Sequence, residues 1–294
     1  MVAGVSDIIS TIGNTPLLEI EGILAKLETT NPTGSIKDRM AWYMVQKAEE
    51  RGELLPGSKI IEVTSGNTGI AFAMISAVKG YKFTAVMPES MSIERIRMMK
   101  AYGTELVLTP AKEDMAGAVR KYEELVKNNP EAWLPRQFEN PDNIASHEQG
   151  IGRELALQTA GKIGAFAAGI GTGGTLIGVA RALKKINPEI KIIGVEPAES
   201  AVLSGQEPGT HLIQGIGEGF IPQILKDNLG LIDEIIKIGS RDAINESRRL
   251  ALKHGLLVGI SSGANMLAAL QAKKKYGRVA TLFPDRGERY LSCR

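Results

Sequence analysis

One lysine, Lys37, stands in the run Asn31-Pro32-Thr33-Gly34-Ser35-Ile36-Lys37-Asp38-Arg39, where Pro and Gly set a tight turn and a helical pattern follows. A lysine at a helix start lies among backbone N–H donors and the positive end of the helix dipole, which lowers its ammonium pKa. A neutral amine is what imine-forming chemistry requires. A lone lysine on a turn is equally an ordinary solvated side chain, and these nine residues leave both readings open.

Three further segments could bind or orient a reactant. Glu62-Val63-Thr64-Ser65-Gly66-Asn67-Thr68-Gly69 runs from a strand pattern into the apolar helix pattern Ile70 to Ala77. Its small residues let N–H groups converge at a helix start, and three hydroxyls and an amide add polar ligands, which suits a carboxylate or phosphate. A capped turn with Ser or Thr at the N-cap is the plainer alternative. Gly169-Ile170-Gly171-Thr172-Gly173-Gly174-Thr175 again joins a strand to a helix, Leu176 to Lys185. Its glycines allow close approach to phosphate oxygens. It also contains GxGxxG at Gly169, Gly171 and Gly174, so a dinucleotide site competes, with Glu196 as the ribose acid. Against a dinucleotide stand the lack of a clear hydride-transfer partner and the candidate imine lysine elsewhere in the chain. Val258-Gly259-Ile260-Ser261-Ser262-Gly263-Ala264 opens another helix; one hydroxyl can cap it and leave the other free.

The elements that must position these segments alternate. Lys59 to Val63, Lys82 to Val86, Glu105 to Leu108, Ala165 to Ile170, Ile190 to Val195 and Val279 to Phe283 read as strands. Amphipathic stretches lie between them, among them Ala41 to Glu50 and Arg241 to His254, the latter stopped by Gly255. This alternation predicts an α/β fold of mostly parallel sheets covered by helices. No linker or repeat marks a boundary, so two lobes require a chain that crosses between them more than once.

Composition narrows the function classes. The 294 residues are 43% hydrophobic and 23% charged with net charge +2, ordinary for a soluble protein and too weakly basic to imply nucleic acid or a membrane surface. One cysteine, Cys293, excludes an intrachain disulfide and fits a reducing cytoplasm; it reads as an incidental tail residue. Met1 to Asp7 carry no signal-peptide pattern, and no apolar run reaches the ~18 residues of a spanning helix. His147, His211 and His254 are scattered and there is no HExxH, so no metal centre is expected.

Taken together, an imine lysine, two anion cradles and a free hydroxyl match what pyridoxal 5′-phosphate (PLP) and an amino acid need: imine, phosphate, carboxylate and ring nitrogen. The chain resembles the cysteine synthase (O-acetylserine sulfhydrylase) family of fold-type II PLP enzymes. The likeness runs from Thr11-Ile12-Gly13-Asn14-Thr15-Pro16-Leu17 through Lys37, Thr64 to Gly69, Gly171 to Thr175 and Gln214 to Pro222, and ends at Gly287-Glu288-Arg289-Tyr290-Leu291-Ser292.

The resemblance implies that Lys37 carries PLP as an imine and then serves as acid and base at the α-carbon. Asn67 would bond the cofactor's ring oxygen, Gly171, Thr172, Gly173, Gly174 and Thr175 would hold its phosphate, and Ser261 would face the pyridine nitrogen. Thr64, Ser65, Gly66, Thr68 and Gln137 would bind the substrate carboxylate. It further implies two α/β lobes with PLP in the cleft between them. Residues 1–37 and 139–294 would form the larger, phosphate-binding lobe and residues 38–138 a smaller lobe that closes on substrate. The implied reaction is β-replacement on O-acetylserine or O-phosphoserine by sulfide through an α-aminoacrylate, in a homodimer, with serine acetyltransferase as a candidate protein partner. A cystathionine β-synthase-type condensation of serine with homocysteine is the alternative. The dehydratase relatives carry a four-glycine phosphate loop, which this chain lacks. Three features depart from the family pattern: a short Leu18 to Leu24 stretch, Pro284-Asp285-Arg286-Gly287 of the B-type isozyme, and Gln214 to Phe220, closer to the A-type but with Glu218. The sulfur donor is left open.

Overall fold

The structure is a computed structural model that describes residues 7–64 and 66–293, with backbone only for Asp114 and Cys293. Met1 to Ser6, Ser65 and Arg294 therefore lie outside the described residues, as does the side chain of Cys293. Strands β1 (Leu17–Ile20) and β2 (Ile23–Leu27) come first, followed by α1 (Lys37–Glu50), β3 (Lys59–Val63), α2 (Asn67–Lys79), β4 (Lys82–Pro88), α3 (Ile93–Ala101), β5 (Glu105–Thr109) and α4 (Asp114–Asn128). Then come α5 (Asp142–His147), α6 (Arg153–Thr159), β6 (Ala165–Gly169), α7 (Gly174–Lys184), β7 (Lys191–Pro197), α8 (Gln223–Lys226), β8 (Glu234–Ile238), α9 (Ser240–His254), α10 (Ile260–Tyr276) and β9 (Val279–Phe283).

Two compact units divide the chain. One is built from the described parts of residues 1–12, 37–136 and 289–294, the other from residues 13–36 and 137–288. In the first, β3, β4 and β5 form a parallel sheet in that order. One core gathers Met40, Met44, Val45, Ile70, Phe72 and Phe83, and a smaller one gathers Ile61, Val86 and Ala118. In the second, six strands run in the order β1-β2-β9-β6-β7-β8, parallel except for the β1–β2 hairpin.

Burial on both faces explains the unbroken apolar runs of the second sheet. Ala165, Ala167, Ile193, Val195, Val279 and Phe283 join a core that includes Ala243, Leu250, Ala264 and Ala268 of α9 and α10. The alternate positions Phe166, Ala168, Ile192, Ala280 and Leu282 join a core with Ile144, Leu155, Leu176 and Ile177 of α5 to α7.

The expected strands are all present, with ends shifted by up to two residues. Gly255 stops α9 in the left-handed region at φ 69°. Three strands escaped the sequence reading. The hairpin β1–β2 closes on only two residues, Glu21 and Gly22, with φ 53° and 75°, the geometry of a type I′ turn. That tight turn is how the short Leu18 to Leu24 stretch is accommodated. Glu21 accepts bonds from the two terminal nitrogens of Arg249, Nη1 and Nη2, at 2.8 and 3.0 Å and from Lys253 at 2.7 Å, which holds its glutamate backbone in a region that favours glycine. Strand β8, Glu-Ile-Ile-Lys-Ile, sits at the sheet edge, where alternation is blurred.

Candidate active site

In the first unit, Lys37 is the first residue of α1 and is half-buried. The turn leading to it closes through the Gly34 N–H to the Asn31 carbonyl at 2.7 Å, with Gly34 at φ 82°.

The Thr64 to Gly69 segment leads from β3 into α2. Its N-cap is Gly66, with no side-chain cap bond, so the plain capping reading of a Ser or Thr at that position does not hold. Instead the buried Thr64, two residues upstream, accepts the N–H groups of Gly66 at 3.3 Å and Gly69 at 3.2 Å on its Oγ1. Both lone pairs of the hydroxyl are then used, and its proton can only be donated outward. Gly69 cannot carry a side chain, since a Cβ would sit 2.7 Å from both Met99 Sδ and Thr64 Cγ2.

Asn67, the first residue of α2, accepts a bond from Arg289 on Oδ1. The buried Arg95 guanidinium lies with its central carbon 3.7 Å from the Cβ position of Gly66, while also stacking 5.2 Å from the Tyr290 ring centre. It places a cation behind the expected carboxylate loop. Sequence reasoning missed Arg95 and the role of Arg289. Arg289 lay inside a quoted motif, but nothing local to it pointed 222 residues back to Asn67.

In the second unit, β6 delivers Gly171 to Thr175 to the start of α7, whose N-cap Gly173 is left-handed at φ 87°. A Cβ at Gly171 would meet the Gly215 carbonyl oxygen at 2.5 Å, and one at Gly174 would meet Asn143 Oδ1 at 1.9 Å. These glycines therefore keep the loop's backbone bare and close-fitting. Thr172 is buried and accepts the Gly174 N–H at 3.3 Å. Thr175 Oγ1 lies 3.2 Å from Nε2 of the buried His147. Bare N–H groups at a helix start with two hydroxyls beside them fit a phosphate dianion.

The competing dinucleotide reading fails at its acid. Glu196 is buried, and its carboxylate accepts the Leu203 N–H at 2.7 Å, the Ser204 N–H at 3.1 Å and the Ser204 hydroxyl at 2.9 Å. Three bonds to one turn make it a structural group, unavailable to a ribose.

Ser261 and Ser262 occupy the first turn of α10, whose N-cap is Gly259 without a side-chain cap bond, so neither hydroxyl caps the helix from that position. Ser261 is 4% exposed, and Ser262 is fully buried with no hydrogen-bond partner for its Oγ. Gln137 is buried, and its backbone carbonyl accepts Asn143 Nδ2 at 2.8 Å. The glycine-rich stretch after Gln214 holds three residues at positive φ, Gly215, Gly217 and Gly219. It is tied down by the Gly217 N–H to the Ile170 carbonyl at 2.9 Å and by His211 Nε2 donating to the Gly217 carbonyl at 2.8 Å. The exposed Glu218 has Oε1 3.9 Å from the Cβ position of Gly171, so a carboxylate stands beside the phosphate loop.

The family model described as "Pyridoxal-phosphate dependent enzyme" matches residues 8–285. A cysteine synthase of Staphylococcus aureus is 50% identical over 300 residues, covering 98% of this chain and 96% of that protein. The crystal structure of a cysteine synthase from Entamoeba histolytica is similar at TM-score 0.95 and 44% identity, covering 99% of this chain and 90% of that one. An O-acetylserine dependent cystathionine β-synthase from Helicobacter pylori follows at TM-score 0.93 and 39% identity, covering 99% and 98%. With a family model matched over most of its length and a relative at 50% identity, the chain belongs to the family of pyridoxal-phosphate dependent enzymes.

Proposed function

We propose that this PLP enzyme is a cysteine synthase, which replaces the acetoxy group of O-acetylserine with sulfide and yields L-cysteine and acetate. The observation that carries the reading is 50% identity over nearly the whole length to a cysteine synthase. Bound PLP supplies an electron sink at the α-carbon of the amino acid.

The protein's own groups do the rest. Lys37 holds the cofactor and moves the α-proton. Thr64, Ser65, Gly66, Thr68 and Gln137 bind the carboxylate, with the outward Thr64 hydroxyl and the nearby Arg95 charge favouring an anion. Gly171 to Thr175 anchor the phosphate, Asn67 donates to the ring oxygen, and Ser261 shares a hydrogen bond with the ring nitrogen. Carboxylate binding draws the smaller lobe, residues 38–138, closed and excludes water. We extend the proposal to a homodimer that accepts serine acetyltransferase as a partner, which light scattering with and without that enzyme tests.

O-acetylserine is favoured over O-phosphoserine because Glu218 adds a negative charge beside Gly171, and the segment between His211 and Pro222 holds no Lys or Arg to receive a second phosphate dianion. The second reading, cystathionine formation, is motivated by the Helicobacter pylori neighbour. The deciding experiment offers O-acetylserine, O-phosphoserine and serine, each with sulfide, thiosulfate and homocysteine, to the wild type and to Lys37→Ala. The wild type should show its highest kcat/KM with O-acetylserine and sulfide. Lys37→Ala should lose both turnover and the visible absorbance of the lysine-bound cofactor. A preference for homocysteine, or an active Lys37→Ala without added amine, overturns the reading.

A further inference from the structure

We propose that Asn143 is a positioning residue for the cofactor phosphate: it sets the Thr172 hydroxyl as a donor toward the phosphate and ties the phosphate loop to the backbone of Gln137. This rests on the assignment of Gly171 to Thr175 to the phosphate.

Asn143 lies in the first turn of α5 and is 0% exposed. Its Nδ2 donates to the Gln137 carbonyl at 2.8 Å and to Thr172 Oγ1 at 3.0 Å. A backbone carbonyl only accepts, so the nitrogen of the amide must be the end that faces Gln137, and the orientation is settled by chemistry. Thr172 Oγ1 also accepts the Gly174 N–H at 3.3 Å. An sp³ hydroxyl has two lone pairs and one proton. With both lone pairs taken by Asn143 and Gly174, the Thr172 proton has one use left, donation to a group on the open side of the loop. A phosphate dianion accepts and never donates, so this polarity is the productive one.

The same device appears at Thr64 in the other unit, where Gly66 and Gly69 occupy the two lone pairs. At Thr64 the backbone alone does the work. At Thr172 a side chain 29 residues upstream completes it. The loop is built around that side chain: Asn143 Oδ1 has no hydrogen-bond partner and sits 1.9 Å from the Cβ position of Gly174, so only glycine leaves room for it. Keeping a buried amide oxygen without a partner is unfavourable, which marks the amide as held in place by its NH₂ end.

The test follows cofactor phosphate directly, by ³¹P NMR of the bound cofactor and by its rate of transfer to a PLP-free acceptor enzyme. Thr172→Val should move the ³¹P resonance and speed release. Asn143→Ala should do the same, with release about tenfold faster, the equivalent of one hydrogen bond to a charged group. In the Thr172→Val background, Asn143→Ala should change release less than twofold, because the hydroxyl it orients is gone. Asn143→Asp keeps the shape but presents an acceptor to Thr172, reversing the hydroxyl, and should release faster than Asn143→Ala. It carries the test if the alanine variant does not fold. The Gln137 tie should appear separately, as a higher KM for the amino acid with a smaller change in kcat. If Thr172→Val alters neither resonance nor release, the phosphate assignment fails. If it alters both while the Asn143 variants do not, or if the two substitutions add independently, the role of Asn143 is overturned.

Discussion

Gly263→Ala sets two effects of known sign against each other. Gly263 lies inside α10, where alanine is favoured over glycine by about 1 kcal/mol of helix propensity. A Cβ there would stand 2.1 Å from the carbonyl oxygen of Ala243, 2.8 Å from the amide nitrogen of Ser247 and 3.1 Å from the carbonyl carbon of Ala243. All three are backbone atoms of α9, so no rotamer change relieves them. Carbon and oxygen pack at about 3.3 Å, and the two helices must therefore part by roughly 1 Å. That opens the core made by Ala243, Leu250, Ala264 and Ala268. Overpacking of this kind costs about 1–3 kcal/mol, and more when rigid backbone is the obstacle. The steric term wins, and the net loss should be about 2 kcal/mol. Urea unfolding of the cofactor-free protein measures it, with Gly230→Ala as the control, since nothing lies within 4 Å of a Cβ there. The midpoint should fall for Gly263→Ala and stay put for the control. Because α10 also carries Ser261, PLP affinity should fall alongside. A Gly263→Ala protein that is more stable than wild type, as propensity alone demands, refutes the packing argument.

Thr64→Val keeps the shape of the side chain but strips two N–H groups of their acceptor; the protein should lose about 1–2 kcal/mol in urea unfolding and bind a non-reacting amino acid such as methionine at least tenfold more weakly, and wild-type behaviour in both assays would remove Thr64 from the site. Arg249, with Lys253, holds the Glu21 carboxyl well below the usual carboxylate range. A depressed folded-state pKa gives stability that is present above the unfolded value near 4.3 and is lost as pH falls through the folded one, so the acid limb of the stability profile should be shallower in Glu21→Gln; identical acid limbs would argue that the cluster contributes nothing. Ser261→Asp should retain PLP, because the phosphate cradle is untouched, but lose most synthase turnover as the aspartate keeps the ring nitrogen protonated, with Ser261→Ala milder; if only Ser262→Asp disturbs turnover, the ring ligand is the next residue.

Elements defined by local pattern were legible from the chain alone. The parallel strands Lys59–Val63 and Val279–Phe283 are apolar runs bounded by polar or turn residues, and Gly255 ends α9 where a left-handed residue is needed. The helix starts at Lys37 and after the Gly171 to Thr175 loop were likewise legible, because helix-start geometry and close backbone approach restrict residue type over a few consecutive positions. The hairpin β1–β2 was not, since Glu21 at positive φ violates turn preference and depends on cations 228 and 232 residues away. Nor could Asn143, Arg289 or Arg95 be read, as polar side chains like these stand in many places for many reasons. Their partners are Thr172, Asn67 and the space behind Gly66, and only the folded backbone brings them there. Which lone pair of a hydroxyl is taken, and hence which way its proton points, is decided by neighbours distant in sequence. The chain thus determines which groups are available to an anion and an imine, and the tertiary structure decides how they are aimed, because a hydrogen bond is directional and its partners are set by packing.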